Sequence, residues 1–128
     1  MQKIVITICS INYLAQAKTL GDSLLKHNPD YQFLIGLVDR LDQSAIEKSK
    51  LPDYPLIELH NIGIEDLDQM CAKYNITELN TAVKPFFLEY VYTTYPDAEM
   101  VHYFDPDIIV YQPLTVIEEA LATNSLFL

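Results

Sequence analysis

Lys3-Ile-Val-Ile-Thr-Ile-Cys9 is short, β-branched and nearly all apolar. A run of that kind, without polar alternation, predicts a strand covered on both faces, as in a parallel sheet. From Leu14 to His27 the spacing changes. Leu14, Ala17, Leu20, Leu24 and Leu25 fall on one side of a helix, which Asn28-Pro29-Asp30 ends because a residue before proline avoids the helical region. Tyr31–Val38 predicts a second buried strand, closed by Asp39. Gln43–Lys50 predicts a short exposed helix, and 55–59 a third strand. Ile64–Tyr74 predicts a helix with Ile64, Leu67, Met70, Cys71 and Tyr74 on one face. Thr77–Tyr95 predicts a longer helix, broken or restarted at Pro85. A fourth strand is expected at 99–104, a helix from Leu114 to Ala122, and the opening of another strand at Ser125–Leu128.

Strands alternating with helices imply right-handed βαβ units and an α/β, Rossmann-like, mostly parallel sheet flanked by helices. In such sheets ligands sit beyond the carboxyl ends of the strands. Three groups fall there independently: Ser10, Asn12 and Tyr13 after the first strand, Asp39 after the second, and Asp105 with Asp107 after the fourth. That agreement predicts a nucleotide or phosphate site on one edge of the sheet.

The last group carries the sharpest chemistry. Met100–Val110 is an apolar and aromatic run interrupted by Asp105-Pro106-Asp107. In an extended segment, residues two apart project the same way, so the two carboxylates would form a harness for a hard divalent cation that also holds phosphate oxygens. Pro106 has no N–H to give to a strand ladder, so the ladder must open there. With ten aspartates in the chain, about one Asp-x-Asp is expected by chance. Asp66-Leu67-Asp68 is the internal control. On a helix its acids point about 200° apart and should be solvated charges.

Composition narrows the classes further. The 128 residues fit one domain or part of one, and half are hydrophobic. A net charge of −10 with only eight basic residues argues against nucleic acid. Cys9 and Cys71 have no zinc or redox spacing and are expected to stay reduced, which suits the cytoplasm. No apolar run reaches the ~18 residues of a membrane span, and Met1-Gln-Lys lacks the layout of a secretory signal. Three glycines include no phosphate loop.

The ordered set Ile6-Thr-Ile-Cys-Ser-Ile-Asn-Tyr-Leu14, Ser23–Asp30, Leu37-Val-Asp39, Val83-Lys-Pro85 and Tyr103–Val110 resembles the N-terminal half of GT-A-fold glycosyltransferases, in particular the glycogenin and bacterial lipopolysaccharide galactosyl- and glucosyltransferase group. The resemblance implies that residues 1–128 are the nucleotide-sugar-binding part of a single glycosyltransferase domain. Asp105 and Asp107 would hold Mn²⁺ or Mg²⁺ against the pyrophosphate of a nucleoside-diphosphate sugar, with a UDP-sugar as donor. Asp39 would take a hydrogen bond from the base, Ser10, Asn12 and Tyr13 would line base and ribose, and Lys84 would reach toward the donor sugar or the paired acids. A glycan or lipid-glycan would be the acceptor, handled in the cytoplasm or at the inner membrane face. Members of the group continue past this length and add a later histidine to the metal site, so the chain reads as truncated and catalytically incomplete. An exposed apolar edge near Leu126, Phe127 and Leu128 would then favour self-association.

Simpler roles stand beside these. Asp39 also suits a turn after a strand, Asn12 a helix cap, Tyr13 surface packing, and Lys84 a solvated amine. His102 reads as a hydrogen-bonded structural histidine. The competing classes are a non-enzymatic doubly wound binding module and a haloacid-dehalogenase-type phosphatase. The latter also places Asp-x-Asp after an apolar strand, but early in its domain.

Overall fold

A computed structural model describes residues 2–123, with the side chains of Ile76 and Thr77 excepted. The strand expected at 125–128 and its apolar edge lie outside the described residues. Four strands form one all-parallel sheet in the order β3-β2-β1-β4, namely Leu56–Glu58 (β3), Tyr31–Leu37 (β2), Gln2–Cys9 (β1) and Ala98–Tyr103 (β4). The register is continuous between β1 and β2, from Lys3 opposite Tyr31 to Cys9 opposite Leu37. Between β1 and β4 it shifts at Gln2/Lys3.

The near-uniform apolarity of β1 and β2 has the predicted cause, because both faces are covered. Ile4, Ile6, Ile8 and Leu34 face one helical layer, and Val5, Cys9, Phe33, Ile35 and Leu37 face the other. The second face packs on Leu14–His27 (α1) through Leu14, Ala17, Leu20 and Leu24, joined by Leu114 and Ile117 beside and within Thr115–Thr123 (α5). The first face packs on Ile76–Ala82 (α3) and Lys84–Thr94 (α4) through Leu79, Val83, Phe87 and Val91. This division follows from chain direction. The sheet grows one way from β1 to β3 and the other way to β4, so crossovers of one handedness place their helices on opposite faces.

α1 occupies the predicted span, and its C-cap Asn28 is buried. The long helix expected over 77–95 is two helices. Asn75 caps α3 with a reciprocal capping box to Glu78, and Pro85 lies in the first turn of α4, where its missing N–H costs nothing.

Three local expectations are corrected. Residues 43–50 do not form a helix. They take in the end of one 3-10 turn, Leu41–Gln43, an irregular stretch, and a second 3-10 turn, Lys48–Lys50. Ser44 has extended backbone and its hydroxyl donates to the Leu41 carbonyl, which ends the first turn. The helix expected from Ile64 begins later, at Leu67–Lys73 (α2), because Asp66 adopts left-handed backbone at φ 56°; Cys71 is exposed there, not on its packed face. Asp66 and Asp68 are both solvated, as expected.

The third correction concerns the extended segment expected across Asp105–Asp107, which is a turn followed by irregular backbone through Ile108–Val110. Pro106–Asp107 turns the chain, with the Ile108 amide donating to the Asp105 carbonyl. The following segment crosses onto α1, where the Val110 amide donates to Ser23 Oγ at 2.9 Å and the Leu114 amide to Asn28 Oδ1 at 2.9 Å.

Behind the sheet's other end, Tyr31 OH donates to Glu118 Oε1 and lies 3.2 Å from His102 Nε2, while Lys3 Nζ bonds both Glu118 and Asp30. His102 is therefore a structural histidine, as its sequence context predicts. Burial lowers its pKa below the ordinary value; the Glu118 charge opposes this and Lys3 adds to it.

Two stability predictions follow from this packing. At Gly36 in β2 an added Cβ would meet the Phe87 ring at 2.9 Å. Gly36→Ala should lower the unfolding free energy by about 1–3 kcal/mol in urea titrations, and an unchanged midpoint would count against the close packing. For His102, the unfolded chain takes up its proton at a higher pH than the folded one. Its contribution is full above the usual histidine pKa and is lost as pH falls toward the folded value. The urea midpoint should drop as pH is lowered from about 7 to about 5, and His102→Gln should flatten that part of the profile.

Candidate functional site

The order β3-β2-β1-β4 reverses direction between β1 and β4. At such a switch point the two following loops part on opposite faces and leave a crevice at the carboxyl ends. A cavity of about 440 Å³ opens there. It takes Ile8, Cys9 and Ser10 from the end of β1, Asn12 and Tyr13 from the next turn, and Asp39 from the end of β2. Asn80, Thr81 and Lys84 come from the α3–α4 junction, and Tyr103, Asp105 and Pro106 from the end of β4.

Six of the seven residues singled out in the sequence thus share one cavity. Asp107 does not. It lines a separate cavity of about 290 Å³ against Ala15, Gln16 and Thr19 of α1, across Pro106 from Asp105. The turn at Pro106–Asp107 is the reason, because it breaks the extended geometry in which residues two apart would project together.

The loop after β1 is a 3-10 turn, Ile11–Tyr13, leading directly into α1. Neither Ser10 nor Tyr13, the caps of these two helices, makes a side-chain capping bond, and Asn12 is exposed and caps neither helix. The capping role weighed for Asn12 is therefore absent, and its carboxamide is open to the cavity. Asp39 performs the turn-forming role. Its Oδ2 accepts from the Ile11 amide at 2.7 Å, tying the loop after β2 to the loop after β1. One carboxylate oxygen is committed to this bond and the other remains for a ligand.

On the opposite wall, Lys84 Nζ stands 3.9 Å from Asp105 Oδ1 and 4.5 Å from the centre of the Tyr103 ring. Burial, and secondarily the nearby Asp105 carboxylate, push the Tyr103 phenol pKa upward. Asp105 is mostly exposed and Lys84 about one-third exposed, with side-chain accessibilities of 60% and 35%. Their ion pair is long and partly hydrated, so either partner is free to exchange for a ligand group.

Asn80 is a further wall residue that the sequence reading missed. Its Oδ1 is buried without a hydrogen-bond partner beside the cavity. Nothing in the local sequence distinguishes it from an ordinary helix residue; its placement follows from the break at Val83. Tyr103 was legible only as a strand aromatic.

Two carboxylates line the cavity, Asp39, which is bonded to the Ile11 amide, and Asp105, and among the described residues no group of three or more His, Cys, Asp or Glu could hold a metal ion. That donor set fits a Mg²⁺- or Mn²⁺-type cation completed by ligand phosphate oxygens, not an all-protein cage. Asp105 would hold it, and Asp107 would join after a change in the Pro106 turn.

Among the described residues no helix is long and apolar enough to cross a membrane. The fold is an α/β Rossmann-like sheet with its cavity at the switch point. No family model matches the chain, and no curated protein does. The chain is similar to a solved structure, the apo-form glycosyltransferase GlyE in Streptococcus pneumoniae TIGR4, at 20% identity and a TM-score of 0.45, covering 91% of this chain and 26% of that one. It thus spans about a quarter of that protein's length.

Cys9 gives this wall a direct check. Burial, and secondarily the Asp39 carboxylate, push its thiol up to about 12, so at about pH 8 only about one thiol in ten thousand is ionised. Cys71 is exposed. Iodoacetamide on the native protein should label Cys71 and spare Cys9, with both labelled in urea. Native labelling of Cys9 at a comparable rate would contradict a closed wall.

Proposed function

We propose that this chain is the donor-binding part of a metal-dependent glycosyltransferase of GT-A type that uses a nucleoside-diphosphate sugar, with UDP-sugar as the donor class. The observation that supports it is the convergence of Ser10, Asn12, Tyr13, Asp39, Lys84 and Asp105, from four separate segments, on one cavity at the switch point. Asp39, Asn12 and Tyr13 form the end suited to a base and ribose, with acceptor and donor groups beside an aromatic ring. Lys84 and Asp105 form the end suited to a diphosphate, where the ammonium attracts phosphate oxygens directly and the carboxylate attracts them through a divalent cation. When bound, that cation supplies Lewis-acid stabilisation of the departing diphosphate. Lys84 adds a fixed positive charge where negative charge grows. The glycan or lipid-glycan acceptor would be held largely by parts of the protein beyond these residues, so we expect the chain alone to bind donor and to transfer poorly.

Calorimetric titration of the chain with UDP, with Mn²⁺ or with EDTA, tests this reading. Binding should require or be strongly enhanced by the metal. Asp105→Ala should remove the metal-dependent gain, Lys84→Ala should weaken binding about tenfold, and Asp66→Ala should leave it unchanged. UDP binding indifferent to metal would favour a plain nucleotide-binding module, and equal losses from all three substitutions would reduce the site to bulk charge.

A further inference from the structure

Tyr103 is the last residue of β4, and its ring faces the ammonium at the phosphate end of the cavity. The ring centre lies 4.5 Å from Lys84 Nζ, within cation–π distance. Lys84 and Asp105 themselves stand 3.9 Å apart, at the outer limit of an ion pair. Two side chains of opposite charge on a partly open surface ordinarily close to hydrogen-bond distance or separate into water. Here a third group, the Tyr103 ring, lies against the ammonium. The aromatic face attracts the ammonium without neutralising it, since a ring quadrupole carries no net charge.

Tyr103 is well suited to this because its backbone is fixed. It pairs with Ile6 in the β1–β4 ladder, and the adjoining Phe104 amide donates to the Ile6 carbonyl at 3.1 Å. Its ring is part of the layer that includes Phe87 and Val83, the residue just before Lys84. Lys84 is thus anchored on α4 and Asp105 on the turn after β4, while the Tyr103 ring meets Lys84 from a rigid strand.

We propose that Tyr103 is a positioning residue for the site: its ring holds the Lys84 ammonium beside the Asp105 carboxylate, keeping cation and anion side by side and exchangeable for diphosphate and a divalent cation. This deepens the glycosyltransferase reading and rests on it for the identity of the ligand, whereas the arrangement of the three side chains does not.

The test has two arms on the full chain. In the first, proton NMR of the metal-free protein reads the Lys84 ε-methylene shift. It should lie upfield through the ring current in the wild type and in Tyr103→Phe, and return to the ordinary lysine position in Tyr103→Leu. An ordinary shift in the wild type overturns the proposal without recourse to any variant. In the second, UDP affinity in Mn²⁺ is measured by calorimetry in a double-mutant cycle. Tyr103→Leu should weaken binding about fivefold and add nothing in a Lys84→Met background; equal losses in both backgrounds overturn the proposal. Tyr103→Phe, which keeps the ring and the packing, should retain the wild-type coupling to Lys84→Met; loss of that coupling in Tyr103→Phe would show that the ring does not hold the ammonium. If the wild type binds no UDP with Mn²⁺, the functional reading fails and the NMR arm still decides the positioning.

Discussion

Everything in this chain depends on enclosing β1 from both sides. Its apolar side chains alternate into two separate helical layers, and its backbone polar groups have no water to turn to, so β2 and β4 must both pair with it. A strand paired on both edges and covered on both faces leaves only its two ends open. The carboxyl end is where the helices depart in opposite directions. The cavity is the space left by that departure, and Cys9 and Ser10 form its floor as a consequence of β1 being the centre of the sheet.

The site divides along the same line. On the β2 side, contact is made through backbone, with Asp39 bracing the turn that carries Asn12 and Tyr13. On the β4 side, it is made through the long, partly hydrated ion pair of Lys84 and Asp105. In the proposed function the braced half takes a fixed shape such as a base, and the ion-paired half, free to exchange partners, takes mobile, hydrated groups such as phosphates and cations. In a chain carrying ten more acidic than basic residues, a single lysine at the edge of the crevice has an outsized local effect, since little else offsets repulsion of an anionic ligand.

The sequence carried the sheet and α1 almost to the residue, because two-sided burial and a proline-terminated amphipathic helix are written into local patterns. It misled where the deciding partner was remote. Ile108-Ile109-Val110 has a strand's composition, yet Ser23 and Asn28, 87 and 86 residues away from their partners, capture the backbone amides that would have continued a ladder. The same capture separates Asp107 from Asp105, a division that spacing alone does not contain. Residues 43–50 failed for the opposite reason. Without a continuous apolar face to bury, a weak helical preference gave way to two local turns. Asp39 and Asn12 were legible as positions after strands and Lys84 only through the resemblance, whereas Asn80 depends on where α3 stops against α4.

The anchoring of the acidic loop has a bearing on how the site can change shape. The Phe104 amide is held by Ile6 and the Val110 amide by Ser23, so the five residues between form a closed arch pinned to the sheet at one foot and to α1 at the other. With both feet held, any movement of Asp107 toward Asp105 would be confined to the backbone angles of the arch, and its entropic cost to that handful of residues.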